Sequence, residues 1–119
     1  MRYVDGYVLP LPVKNLKAYQ KMAKLGGKVW KSHGALQYCE CVGDDLDVKW
    51  AMTFPKLVKP KKGETVVFSF IVFKSRAHRD KVNAKAMKDP RLTTLMDPKK
   101  MPFDCTRMVC GGFKVLVEA

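Results

Sequence analysis

The sequence has no apolar run approaching the roughly 18 residues that a membrane-spanning helix requires. Its opening residues, Met1-Arg2-Tyr3-Val4-Asp5-Gly6, lack the basic-then-apolar pattern of an export signal. The expectation is therefore a cytoplasmic protein without a membrane partner. Cysteine is scarce. Cys39 and Cys41 are separated by one residue, not by the two to four usual in structural zinc sites, and Cys105 and Cys110 match no ligand spacing. Near neighbours on one strand would also form a strained disulfide, so free thiols are expected. The chain has no Cys-x-x-Cys, no Gly-x-Ser-x-Gly, no paired-histidine spacing and no phosphate-cradling glycine motif. The expectation is no metal and no cofactor.

Acidic residues are also few. Eleven Asp and Glu stand against 23 Lys and Arg, a formal net charge of +12. Such an imbalance favours polyanions at long range, and equally keeps a small protein in solution. What the sequence does contain is enough apolar material, 47% of its residues, to build one core over residues 1–119 without disulfide or metal staples.

The pattern along the chain changes period several times. Arg2 to Leu9 reads as a strand, ended by Pro10 and Pro12. From Lys14 to Lys31 the residues Leu16, Tyr19, Met22, Ala23, Gly26, Val29 and Trp30 recur at helical spacing and form one apolar face. Gly26-Gly27 lowers helix propensity there, which suits a close approach to the sheet. Ala35 to Val42 reads as a second strand, with a short extension at Lys49 to Phe54. Pro55 to Gly63, with four lysines and two prolines, reads as a solvated loop or edge. Glu64 to Lys74 is dense in β-branched and aromatic residues and is the strongest strand. Ser75 is placed to cap a helix running to Lys88, with Val82, Ala86 and Met87 on its buried face. A short helical turn at Leu92 to Met96 leads to Asp97-Pro98, and Thr106 to Val117 reads as the last strand, bulged at Gly111-Gly112.

The order β-α-β-β-α-β predicts an α+β, ferredoxin-like sandwich with an antiparallel sheet. In the third strand Thr65, Val67, Ser69, Ile71 and Phe73 alternate with Val66, Phe68, Phe70 and Val72, so both faces are apolar. A sheet with one solvated face should alternate apolar and polar residues. Helices cover one face; a second copy of the chain is the expected cover for the other, which predicts a homodimer.

Strand alternation puts Glu40 in a mostly apolar series with Leu36, Tyr38 and Val42, and puts Asp5 between Tyr3 and Tyr7. A carboxylate on a buried face needs a partner, for which Arg107 is available. Asp5, Glu40, His78 and Arg107 are therefore the candidate catalytic or ligand-anchoring groups, with Trp30, Tyr38 and Phe103 as candidate pocket walls. A paired carboxylate at a strand edge or seam is the alternative. His33 stands where a cation meets a helix C-terminus. Lys14, Lys17, Lys21, Lys24, Lys28 and Lys31 make a stripe opposite the apolar face of the first helix, with no acid to offset it. Lys17, Lys21, Lys24 and Lys28 are the candidate polyanion-binding residues, although the stripe lacks interleaved aromatics or arginines and also fits a solvated face.

The segments Tyr3-Val4-Asp5-Gly6-Tyr7-Val8-Leu9-Pro10, His33-Gly34-Ala35-Leu36, Ser75-Arg76-Ala77-His78-Arg79-Asp80 and Met101-Pro102-Phe103-Asp104 carry a resemblance across nearly the whole chain. Together they resemble the YbaA-like bacterial domain-of-unknown-function family. The resemblance implies a dimeric α+β barrel, related in shape to antibiotic-biosynthesis-type monooxygenases; it implies no particular activity. Two functional expectations follow. One is a small-ligand-binding dimeric barrel, open to cofactor-free, monooxygenase-like chemistry. The other is a basic, RNA-associated protein that uses the lysine stripe.

Overall fold

Alternating β-branched and aromatic residues build the centre of the molecule, and Pro and Gly mark its turns. The computed structural model describes residues 1–97 and 99–119; Pro98, part of the turn expected at Asp97-Pro98, lies outside them. Four strands, β1 (Tyr3–Pro12), β2 (Gln37–Val42), β3 (Glu64–Phe73) and β4 (Val109–Lys114), form one antiparallel sheet in the order β2-β3-β1-β4. The helices are α1 (Leu16–Ser32), α2 (Phe54–Val58), α3 (Arg76–Met87) and α4 (Pro90–Thr93). The ferredoxin-like α+β order read from the sequence is the order observed.

The sheet is open, and this corrects the expected barrel. The two six-residue strands β2 and β4 end the sheet on opposite sides, each paired along one edge only. Closure would require β2 and β4 to hydrogen-bond to each other, and in this sheet they do not. The barrel implied by family resemblance is thus absent from the chain.

Register assigns the faces. Tyr3, Asp5, Tyr7, Leu9 and Leu11 of β1 stand opposite Phe73, Ile71, Ser69, Val67 and Thr65 of β3 on the helix side. Leu9, Leu11, Val67 and Phe73 are fully buried there. The predicted face of α1 supplies the cover: Tyr19, Ala23, Gly26 and Val29 are buried, with Leu16, Met22 and Trp30 packed at the margins. In α3 only Val82 and Ala86 are buried; Met87 is exposed, because its position turns past the contact with α1 and the sheet. Ser75 Oγ caps α3 by accepting from His78 N at 3.1 Å.

The opposite face is only partly covered. Phe54–Val58, where the end of the expected Lys49–Phe54 strand extension meets the expected Pro55–Gly63 loop, forms α2 and no strand, capped by Thr53 Oγ1 with Pro55 in its first turn and stopped by Lys59 at φ 51°. Val58 is buried, and Phe54 packs edge-on against Phe68 with ring centres 6.1 Å apart. Phe68, Val109 and Phe113 remain exposed on that face. The last strand starts at Val109, later than expected, and carries no bulge at Gly111-Gly112, which pair in register with Gly6 and Asp5. Gly112 instead leaves room for the Tyr3 ring, which lies where a side chain would go.

Candidate ligand pocket between the sheet and its helices

The floor of the pocket comes from the helix-side residues of three strands: Tyr7 and Leu9 of β1, Tyr38 and Glu40 of β2, Ser69 and Ile71 of β3. Its roof is α1, through Tyr19, Met22, Gly26 and Trp30. Met101, Phe103 and Met108 close the end nearest the β4 strand. Asn15 Nδ2, at the start of α1, holds this loop by donating to Pro102 O at 2.9 Å, and Phe103 packs edge-on against Tyr19 with ring centres 5.6 Å apart. The pocket is partly open and has a volume of about 190 Å³.

Tyrosine supplies most of the polar lining. The Tyr19 hydroxyl donates to Glu40 Oε1 at 2.6 Å, and the Tyr38 hydroxyl donates to Glu40 Oε2 at 2.8 Å. Each carboxylate oxygen thus receives a short, charge-assisted hydrogen bond, which fixes the group without any cation. Burial raises the pKa of both phenols, and the Glu40 carboxylate raises them further. Tyr7 is pushed up to about 12, first by burial and then by the neighbouring Asp5 carboxylate. All three phenols therefore stay protonated at neutral pH. Among the described residues the Tyr7 hydroxyl has no hydrogen-bond partner, so it is available to a guest.

Two glycines make the arrangement possible. A Cβ on Gly26 would stand 3.1 Å from the Tyr38 hydroxyl, and one on Gly27 would stand 3.0 Å from Tyr38 Cδ1. Gly26-Gly27 therefore lets α1 come down onto the Tyr38 ring, the close approach that its place in the helix suggested.

Of the four candidate acid–base or anchoring residues, only Glu40 lines this cavity. Asp5 is buried behind it, where Arg79 Nη1 donates to Oδ1 at 2.6 Å and Asn83 Nδ2 donates to Oδ2 at 3.2 Å. The Arg79 guanidinium also lies 4.8 Å over the Tyr3 ring, and Trp30 Nε1 donates to Asn83 Oδ1 at 2.9 Å. This chain of contacts ties β1, α3 and α1 together. His78 turns back toward the end of β3, with Nδ1 accepting from Lys74 N at 3.0 Å and its ring edge-on to Phe73. Arg107 is not the partner of Asp5 or Glu40. It sits in a short 3-10 turn before β4 and forms a two-pronged pair with Glu64, Nη1 to Oε2 at 2.8 Å and Nη2 to Oε1 at 2.9 Å. That pair holds the Glu64 carboxyl below the usual carboxylate range.

The expected wall residues Trp30, Tyr38 and Phe103 all line the cavity. Tyr7, Tyr19 and Ser69 were not singled out from the sequence. For Tyr19 a signal existed, since a tyrosine on a buried helix face brings a hydroxyl that needs a partner. His33 ends α1 as expected, but its Nε2 lies 2.8 Å from Asp89 Oδ2, and Asp89 also receives Arg91 at 2.7 Å. The Arg91 and His33 hydrogen bonds lower the Asp89 pKa strongly.

A second concavity lies outside the first. It is an open groove of about 800 Å³ between α1 and the free edge of β2, and it shares Tyr19, Ala23, Tyr38 and Glu40 with the inner cavity. Lys24, Lys28 and Lys31 stand along it; Lys17 and Lys21 lie elsewhere on the helix. Among the described residues no three His, Cys, Asp or Glu side chains converge as a metal site would require, and the four cysteines are free thiols. No helix among them is long and apolar enough to cross a membrane.

The comparisons with known proteins agree with this geometry in giving no activity. A family model described as "Protein of unknown function (DUF1428)" matches residues 2–105. "Uncharacterized protein YbaA" of Escherichia coli (strain K12) is 38% identical over 118 residues, covering 99% of each chain, and the protein of the same name from Shigella flexneri matches equally. The chain belongs to the DUF1428 family, the YbaA-like family of uncharacterised bacterial proteins.

Proposed function

We propose that this protein binds a small, largely apolar molecule bearing a hydrogen-bonding group in the cavity between its sheet and α1. The observation that carries this reading is a fixed carboxylate, Glu40, held by two neutral phenols at the edge of a space of about 190 Å³. Apolar cavities near this size hold a single aromatic ring. The unpartnered Tyr7 hydroxyl and the carboxylate are the groups that would orient such a guest. Both Glu40 oxygens already accept a hydrogen bond, so the group serves better as an anchor than as a base. Cofactor-free oxygenase chemistry has less support than binding.

A homodimer is part of the same reading. Phe68, Val109 and Phe113 leave an apolar patch on the sheet face away from the helices, and patches of this kind mark association surfaces. The occupant favoured by self-complementarity is the same face of a second copy. Sedimentation of the wild type and of Phe68→Glu tests it; a wild type that stays monomeric at high concentration removes the dimer.

The ligand reading is tested by a thermal-shift screen of small aromatic and short-chain metabolites on wild type and Glu40→Gln. A stabilising compound whose effect shrinks in Glu40→Gln supports it, and no stabilisation by any compound removes it. The RNA reading draws on the exposed lysines of α1, none of which is in an ion pair among the described residues. It requires binding to single-stranded RNA that falls steeply with salt and with Lys17, Lys21 and Lys24 changed to Glu.

A further inference from the structure

The free edge of β2 borders the outer groove along its length. Gly43 N donates to Val66 O at 2.8 Å, and residues 43 and 66 stand opposite each other in the register of β2 and β3. Antiparallel bonding alternates along a strand. The backbones of Gln37, Cys39 and Cys41 therefore bond inward to β3, while those of Tyr38, Glu40 and Val42 present N–H and C=O groups outward. The neighbouring contacts keep the same phase, since Val13 N donates to Gly63 O and Val115 N donates to Arg2 O on the far side of the sheet. A sheet edge in this condition is a template for another strand.

Beside that edge stands α1, with Lys24, Lys28 and Lys31 toward the groove and no acidic residue anywhere on the helix. Lys31 Nζ donates to Leu36 O at 2.9 Å and marks one end. Glu40 is the acidic side chain in the groove lining, and against Lys24, Lys28 and Lys31 it leaves the lining with a formal net positive charge. The rise from Lys24 to Lys28 is about 6 Å along the helix, and alternate residues of an extended strand are spaced by about 6.8 Å. Successive side chains on one face of a strand laid on β2 thus match the spacing of Lys24 and Lys28. Its other side chains continue the opposite sheet face beside Cys39, Cys41 and the exposed Phe68.

We infer that the groove between α1 and the β2 edge binds an extended peptide segment of alternating acidic and apolar residues, which adds to the sheet as a fifth strand. Two features decide this occupant. The outward N–H and C=O groups are satisfied by a peptide backbone and not by a lipid chain or a nucleic acid. A second copy of this chain, pairing β2 with β2, would bring a second set of lysines against the first. The inference concerns the outer groove, which shares Glu40 with the inner cavity, and does not depend on a ligand in that cavity.

The test uses a fluorescent peptide of alternating Glu and Val, titrated into the full-length protein, with the amide resonances of β2 followed by NMR. The Tyr38, Glu40 and Val42 amides should shift and become protected from exchange. A peptide with alternate amides N-methylated should bind about tenfold or more weakly, and so should the Lys24→Glu, Lys28→Glu double variant. Val42→Pro should keep the native spectrum, because its N–H makes no ladder bond, and should lose the peptide. No binding at millimolar peptide, or equal binding of the N-methylated form, overturns the inference. So does displacement by polyuridylate with the same resonances shifted, which would make the groove a polyanion track. Shifts that depend on protein concentration alone would assign the edge to a second copy and also overturn it.

Discussion

The hydroxyl of Tyr19, on α1, donates to the carboxylate of Glu40, on the edge strand β2, across 2.6 Å. This bond crosses the layer between helix and sheet, and it lies where the inner cavity meets the outer groove. Removing the hydroxyl by Tyr19→Phe should cost about 1.5–3 kcal/mol, the range for hydrogen bonds to a charged acceptor. Chemical denaturation checks it; a change below about 0.5 kcal/mol would show that water replaces the phenol freely.

Gly27→Ala tests the approach of α1 to Tyr38. The substitution improves helix propensity by up to about 1 kcal/mol. It also places a Cβ 3.0 Å from a ring that Glu40 holds by its hydroxyl, and overpacking of this kind costs about 1–3 kcal/mol. The contact should win. A lower melting temperature is expected, and a higher one would mean that the Tyr38 ring shifts without loss.

Asp5→Ala should be more damaging. It leaves Arg79 without its carboxylate and Asn83 without an acceptor, among buried groups. Arg79 retains some solvent access, so the expected loss is about 2–3 kcal/mol and not the larger cost of a fully buried orphan charge. Equilibrium unfolding measures it. Asp5→Asn should recover part of the loss, since the amide oxygen still accepts from Arg79.

Alkaline pH should unfold the protein through its tyrosines. Tyr7, Tyr19 and Tyr38 have native pKa values above the ordinary phenol value of 10.0. Groups raised in this way contribute stability that is intact below the unfolded pKa and is lost as the pH rises through the native values. Stability should therefore hold to about pH 10 and fall above it, with tyrosinate absorbance appearing together with the loss of structure. Titration of Tyr7, Tyr19 or Tyr38 near pH 10 in a protein that stays folded would contradict the buried arrangement.

Much of this was legible in the residues. The apolar face of α1, the Ser75 cap and the alternation of β3 are local patterns whose period states the element and its buried side. Glu40 stood out as a carboxylate in an apolar series, and Trp30, Tyr38 and Phe103 as the aromatic material near it. The lysine stripe was equally plain, and its exposure on α1 is what a face opposite the core must show.

Pairing across long sequence separations was not legible. Arg107 was available to Asp5 or Glu40 on sequence grounds, yet it pairs with Glu64 because its turn ends before β4 begins. Asp5 finds Arg79 and Asn83, which are four residues apart on one face of α3, once that helix packs over β1. The open sheet was likewise a tertiary outcome, because strand count and register decide closure and the hydrophobic pattern is the same for an open or a closed sheet. The sequence by itself determined the four strands, the two long helices, their order and their apolar faces, since these rest on periodicities a few residues long, while the short helix α2 escaped it. Only the tertiary structure decided that Glu40 faces a cavity held by two tyrosines and that β2 has a free edge, since both depend on which distant segments come into contact.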